Sequence, residues 1–382
     1  MPPLKWILLF TGAAAAQASV APPASVLPAP ADRTVRVNIG ALQKFTLSGY
    51  DLSLAGNAPI PGPSFLSLSC RVNERGVSEV HYGLGSPVGQ LDVSTHTGFL
   101  FLDRKPWREK LTVVAQGSQC LVVNTVDMEK YLAGLVNKEM QGSWPIEALK
   151  AQAVAARSYA LFQIGKNRQE LWDVDATTID QVYDGPRSET AKSNRAVEQT
   201  RHEVLTWNDE TIKAFYHANC GGRTETEVWG GSHPWMASVT CPWHGKRENG
   251  IRWKFRAGLD RLDRSLRKLA QELTPGFLRV ASVEPGRVNG SRRLREIVLR
   301  DAEGRSARVP AATFRATLGN TQVKSTRFSV KSNGREVELL GDGFGHGAGM
   351  CQVGAKVMAQ NGRSYRQILS HYYPLARLSK LE

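Results

Sequence analysis

The rhythm of apolar and polar positions changes several times along the chain, and the changes divide it into regions. Between residues 34 and 126, short apolar runs alternate with polar positions: VRVNI, KFTLS, SFLSLSCRV, GFLFL, LTVVA and CLVVNTV. Glycine and proline punctuate these runs, a pattern that predicts short β-strands. Residues 127–132 (DMEKYL) read as a short helix leading out of them. The next long run, PIEALKAQAVAARSYALFQI at 145–164, is alanine-rich and has no interior breaker, which predicts a helix. Proline suits its first position, where the missing N–H would have no intrahelical partner. Ala148, Ala151, Ala155 and Ala156 allow close backbone approach, so the helix is expected to be buried. Further on, AKSNRAVEQTRHEVL has helical spacing, and Asn208-Asp209-Glu210 reads as a hairpin turn between two strands. Residues 259–273 form an amphipathic helix, and 277–309 return to hairpins with Asn289-Gly290 as the clearest turn.

No linker-like composition separates these parts, so the expected fold class is α+β. A β-rich region at 34–125 should interlock with a core at 126–382 built around the buried helix at about 145–164. Within that core, about 246–340 forms a basic insert. Residues 1–18 carry Lys5, an apolar WILLF run and a closing Ala16-Gln17-Ala18, the pattern of a secretory signal peptide. Residues 19–33 follow as a Pro/Ala linker, and no later apolar run approaches spanning length. The expectation is an exported chain, periplasmic or extracellular, without a transmembrane span.

That compartment changes the meaning of the charge and the cysteines. A net charge of +14 suits a polyanionic partner, and export turns the expectation from nucleic acid to cell-wall polymer. The five cysteines allow two disulfides, one of them Cys70 with Cys120 inside the β-rich region. His217-x-x-Cys220 and Cys241-x-x-His244 have the spacing of a four-ligand zinc site, with a Cys220–Cys241 disulfide as the alternative.

Residues 136–159, VNKEMQGSWPIEALKAQAVAARSY, concentrate the remaining chemistry. Glu139 precedes Met140 and Trp144, apolar neighbours able to raise a carboxyl pKa. Lys150 and Arg157 sit two turns apart and share one face of the helix. They are either a structural ion-pair stripe or cations facing a ligand. Gly341–Gly349 region residues, GDGFGHGAG, display His346 on a tight loop with Gln352 nearby; a structural turn around a buried histidine is the other reading.

Tyr131-Leu132-Ala133-Gly134, Glu139-Met140, Trp144-Pro145 and the run 147–160 together resemble the signature of the stage II sporulation protein D (SpoIID/LytB) family. A second block at 345–355 and an IL.HYYP ending at 368–374 resemble it as well. The resemblance implies a lytic transglycosylase acting on peptidoglycan glycan strands stripped of stem peptides, with Glu139 as catalytic acid. It implies Lys150, Arg157, His346 and Gln352 as substrate-binding residues, and zinc held by histidine and cysteine in some members. Cys351 stands where serine is usual and Val353 where an aromatic is usual. Two rivals are a non-catalytic wall-binding enhancer of a cell-wall amidase and, third, a zinc amidase or peptidase. The process served, sporulation or division, is left open.

Overall fold

Period-two alternation of buried and exposed positions lays out the first large sheet. The computed structural model describes residues 33–83, 85–228, 231–245 and 250–381, with the backbone only at 244 and 245. The expected leader at 1–18 and residues 19–32 of the linker lie outside them. Nine strands come first: β1 Thr34–Leu42, β2 Lys44–Leu54, β3 Ile60–Val72, β4 Ser78–Tyr82, β5 Gln90–Ser94, β6 Leu100–Leu102, β7 Lys105–Trp107, β8 Lys110–Gln116 and β9 Gln119–Asp127. In β8, Leu111 and Val113 point inward while their neighbours stay partly exposed, the signature of a half-covered sheet. The main path runs β1-β9-β8-β5-β2-β3-β4, and β6 adds to β2. Cys70 in β3 and Cys120 in β9 form the expected disulfide, with Cα atoms 5.3 Å apart. Closing a loop of 50 residues stabilises the fold by about 4 kcal/mol on a chain-entropy account.

The free edge of β1 is taken by Val174-Asp175, paired parallel to Val37-Asn38. The β-rich region therefore shares a sheet with the part that follows it. The same apolar cluster runs from Val35 in β1 to Tyr373 near the C-terminus.

Helix α1, Met128–Glu139, is longer than the short helix expected at 127–132. Asp127 caps it by accepting from the N–H groups of Glu129 and Lys130, satisfying donors that have no intrahelical partner. Helix α2, Ile146–Lys166, matches the expected central helix, with Pro145 at the boundary. Helix α3 is Ala191–Glu198. The basic segment then folds round α4, Leu259–Leu273, and α5, Ala311–Leu318, with two three-stranded sheets. It has a separate core that includes Leu262, Phe277, Ile297, Phe314 and Leu339. Its arginines largely face acids of the same segment, as in Arg279–Asp260, Arg300–Glu284 and Arg305–Asp301. Much of the basic run is thus an ion-paired surface, of small energetic weight.

Two last helices, α6 Gln352–Gln360 and α7 Tyr365–Tyr372, return to the main core. α2 packs against α1, α3, α6, α7 and the strand Glu203–Trp207. Being surrounded explains its composition: small alanines admit neighbours on every side, and no polar face is left for water. No helix among the described residues is long and apolar enough to cross a membrane.

Candidate functional site

Glu139 is the last residue of α1, which puts its carboxyl at the negative end of the helix dipole. The side chain stays partly exposed at the surface of a dense surround. Val182 donates its N–H to Oε1 at 2.7 Å, and the side chains of Gln352 and Tyr216 hydrogen-bond the carboxyl too. Burial raises its pKa above the ordinary 4.5, and these three hydrogen bonds pull the other way without cancelling the effect. No cation pairs with it among the described residues.

Behind the carboxyl lies a network of neutral groups. Gln181 donates to the Tyr216 hydroxyl at 3.0 Å and accepts from the Tyr131 hydroxyl at 2.9 Å. Gln352, itself 5% exposed, donates to Gln152 at 3.2 Å. Gln352, expected beside His346 as a substrate-binding residue, thus stands beside Glu139. Tyr216, Gln181 and Val182 were not singled out from the sequence. Their signal was a fragment, Asp180-Gln181-Val182-Tyr183-Asp184-Gly185, whose chemistry is invisible until its backbone meets α1.

The two helix cations are placed elsewhere. Arg157 is 1% exposed and grips Glu129 at 2.9 and 2.6 Å, with a further bond to the Glu203 carbonyl at 2.9 Å. It is a buried structural ion pair, and this placement corrects the sugar-binding role expected for it. The reason is geometric: residues 129 and 139 sit at opposite ends of α1, and Arg157 faces the far end. Lys150 pairs with Glu147 at 2.7 Å and lies over the Tyr365 ring at 5.5 Å. Neither cation makes the direct bridge to Glu139 that would have lowered its pKa.

His346 sits on the glycine-rich loop. Its Nδ1 accepts from the Ala348 N–H at 3.1 Å, so Nε2 carries the hydrogen and donates to the Tyr216 carbonyl at 3.0 Å. Burial holds its pKa well below 6.5, and the neutral ring anchors the loop to the strand bearing Tyr216. The glycines let the loop pass through occupied space. At Gly347 (φ +93°) a Cβ would come within 2.4 Å of the Arg293 guanidinium, and at Gly349 (φ +66°) within 1.9 Å of the Phe215 carbonyl. Arg293, from the basic segment and 1% exposed, donates to the Cys220 carbonyl at 2.9 Å and to the Gly345 carbonyl at 3.4 Å. The separate segment is thereby locked to the loop.

The expected metal ligands are partly regrouped. A parallel pairing of Tyr216-His217 with Met350-Cys351 carries Cys351 to His217 and Cys220, and one ligand atom from each lies within 4.8 Å of the others. Cys241 joins them: its thiol pKa is pushed up first by a hydrogen bond with Cys220, and it also bonds Cys351. None of the three cysteines is in a disulfide, so the alternative Cys220–Cys241 bridge is not formed. The side chain of His244 falls outside the described residues, and Cys351 fills the fourth corner. His217 donates Nδ1–H to the Ala348 carbonyl at 2.9 Å, which leaves the lone pair of the buried Nε2 toward the Cys220 thiol, with no N–H or O–H donor on it among the described residues. Backbone N–H groups of Cys220 and Gly354 point at the Cys351 sulfur at 3.3 and 3.4 Å. An imidazole lone pair among three thiols, with tautomer and sulfurs held by outer partners, fits a tetrahedral zinc site.

Similarity to known proteins converges on one family. Residues 116–207 match the family described as stage II sporulation protein. The chain is 33% identical over 316 residues to an uncharacterised protein of Brachyspira hyodysenteriae, covering 80% of this chain and 82% of that one. It is 31% identical over 288 residues to the amidase enhancer of Bacillus subtilis, covering 64% of this chain but only 39% of that longer relative. It is 29% identical over 277 residues to stage II sporulation protein D of Bacillus subtilis, covering 68% of this chain and 76% of that one. The chain therefore belongs to the stage II sporulation protein D family.

Proposed function

We propose that the chain is an exported lytic transglycosylase that cuts the bond between N-acetylmuramic acid and N-acetylglucosamine in peptidoglycan glycan strands. The observation that carries this reading is Glu139: a carboxyl with raised pKa, partly accessible and held only by neutral donors. Hydrolytic glycosidases ordinarily use two carboxylates. One suffices when the nucleophile belongs to the sugar. Protonated Glu139 gives its proton to the glycosidic oxygen as the C1–O bond breaks. Its carboxylate then takes the proton of the muramyl O6 hydroxyl, whose oxygen closes on C1. The products are a new N-acetylglucosamine hydroxyl and a 1,6-anhydro end, and no water is consumed. Val182 N–H, Tyr216 and Gln352 orient the carboxyl, and the raised cost of ionising it favours return of the proton from the O6 hydroxyl.

Incubating the protein with peptide-free glycan strands and reading the ends by mass spectrometry tests this. Anhydro ends should form, and Glu139→Gln should lower their rate about 10³-fold, the scale of a lost general acid. Equal product from the variant would remove the acid assignment.

The relative named amidase enhancer supports a second reading, a wall-bound partner of an amidase without catalysis of its own. Zinc enters the proposal as a structural ion on His217, Cys220, Cys241 and Cys351, where it would tie the glycine-rich loop to the main core. Four protein ligands leave no open position for a zinc amidase or peptidase.

A further inference from the structure

With Arg157 buried on Glu129 and Lys150 paired to Glu147, a cation without a carboxylate partner among the described residues is Lys213, which is joined to the site through Tyr159 and Asp180. It belongs to the segment leading into the strand Tyr216–His217. Its ammonium lies over the Tyr159 ring at 5.1 Å and over the Phe215 ring at 5.4 Å. The side chain is half-buried, and among the described residues it makes no hydrogen bond and no ion pair. Asp180 acts on it only through space. The oxygens of that carboxylate are already engaged by the Tyr159 hydroxyl at 2.6 Å, Gln163 at 3.2 Å and the Asp175 N–H at 2.9 Å. Two aromatic faces hold the ammonium in place and strip part of its water, which strengthens its attraction for an incoming anion.

The rings continue outward from Lys213. Phe215 neighbours His233 at 5.7 Å, and His233 stacks on Trp235 at 4.6 Å. Burial and the nearby lysine lower the His233 pKa, so its ring presents a neutral flat face. The link back to Glu139 is short. Tyr159 bonds Asp180, and the next two residues, Gln181 and Val182, reach Tyr216 and Glu139.

We infer that Lys213, on the aromatic shelf of Tyr159, Phe215, His233 and Trp235, binds the lactyl carboxylate of a muramic acid unit beside the scissile bond. This rests on the glycan-cleavage reading above. The chemistry points to one group: along a bare strand of the two N-acetylated sugars, the lactyl carboxylate is the only anion. Attachment of a peptide converts that carboxylate into a neutral amide. Sugar rings also present apolar faces that stack on aromatic side chains, for which the partly exposed His233 and Trp235 are available, while the buried Tyr159 and Phe215 hold the ammonium.

The test uses the full chain carrying Glu139→Gln, so that binding is measured without turnover. Two probes are compared by calorimetry: a peptide-free muramyl oligosaccharide with free lactyl carboxylates, and the same oligosaccharide with those groups converted to carboxamides. The parent should prefer the acid about tenfold, the scale of one charge-assisted hydrogen bond. Adding Lys213→Gln should bring the ratio within about twofold, while Lys213→Arg should keep it, on the same scale of interaction. Unchanged melting of both variants shows that the fold is intact. An undiminished preference in Lys213→Gln overturns the assignment to Lys213. Failure of the parent to bind either probe overturns the glycan reading and this inference with it.

Discussion

Helix α1 carries a glutamate near each end, and the two have opposite surroundings. Glu129 is 9% exposed and meets a guanidinium head-on, with Arg157 bonded to both of its oxygens. Glu139 meets an amide N–H, a phenol and a carboxamide, all neutral, at the negative end of the helix. Burial with a cation fixes a carboxylate as structure. Burial with neutral donors leaves a carboxyl that can hold a proton and give it up. The same helix thus supplies an anchor and a candidate acid, and the difference lies in which partner the fold brings to each end.

The largest expected effect comes from breaking the anchor. Arg157→Met leaves the Glu129 carboxylate buried without its partner and should cost about 3–5 kcal/mol in urea unfolding. Glu139→Gln, by contrast, should leave stability within about 1 kcal/mol at neutral pH or raise it, because it removes a desolvated acid. Equal losses in the two variants would erase the distinction between the ends of α1.

A second variant probes the parallel contact that holds Tyr216 in reach of Glu139. Cys351→Ala should lower bound zinc from about one per chain to a small fraction and lower the melting temperature, since structural zinc contributes folding energy directly. His244→Ala should leave the zinc content in place. The reverse pattern, read by elemental analysis of the purified proteins, would restore the ligand set that the sequence spacing suggested.

Much of the frame was legible before any coordinates. The alanine run marked α2 because its composition answers to burial on all sides, and the two cysteines of the β-rich region paired as expected. α1 was underestimated because Gly134 interrupts a propensity reading, whereas Leu132, Leu135 and Val136 bury against the core and carry the helix on to Glu139. Periodicity placed Lys150 and Arg157 on one face correctly but could not say what lies opposite that face. The place of Cys351 in the thiol cluster was hidden for a similar reason. Cys351 lies far along the chain from His217, and a two-residue parallel pairing too short to read from the sequence brings them together. Lys213 gave no signal, because its setting is made by a ring from α2 and one from its own irregular segment.

A smaller effect follows from proton linkage. A carboxyl whose folded pKa lies above its unfolded value favours the folded state fully below the unfolded value, and this contribution is lost as pH rises through the folded one. From about pH 4.5 upward, wild type should therefore lose stability relative to Glu139→Gln, by about 1.4 kcal/mol for each unit of elevation, until Glu139 is ionised. Cleavage should decline over the same range, because the first step needs the protonated acid.

The most direct test is the titration of Glu139 itself, followed by carboxyl carbon NMR on the full chain and assigned by the signal missing in Glu139→Gln. The account predicts a midpoint above 4.5, with the carboxyl still largely protonated where an ordinary glutamate has ionised. A midpoint at or below 4.5 would contradict it, leaving Glu139 as much a structural carboxylate as Glu129.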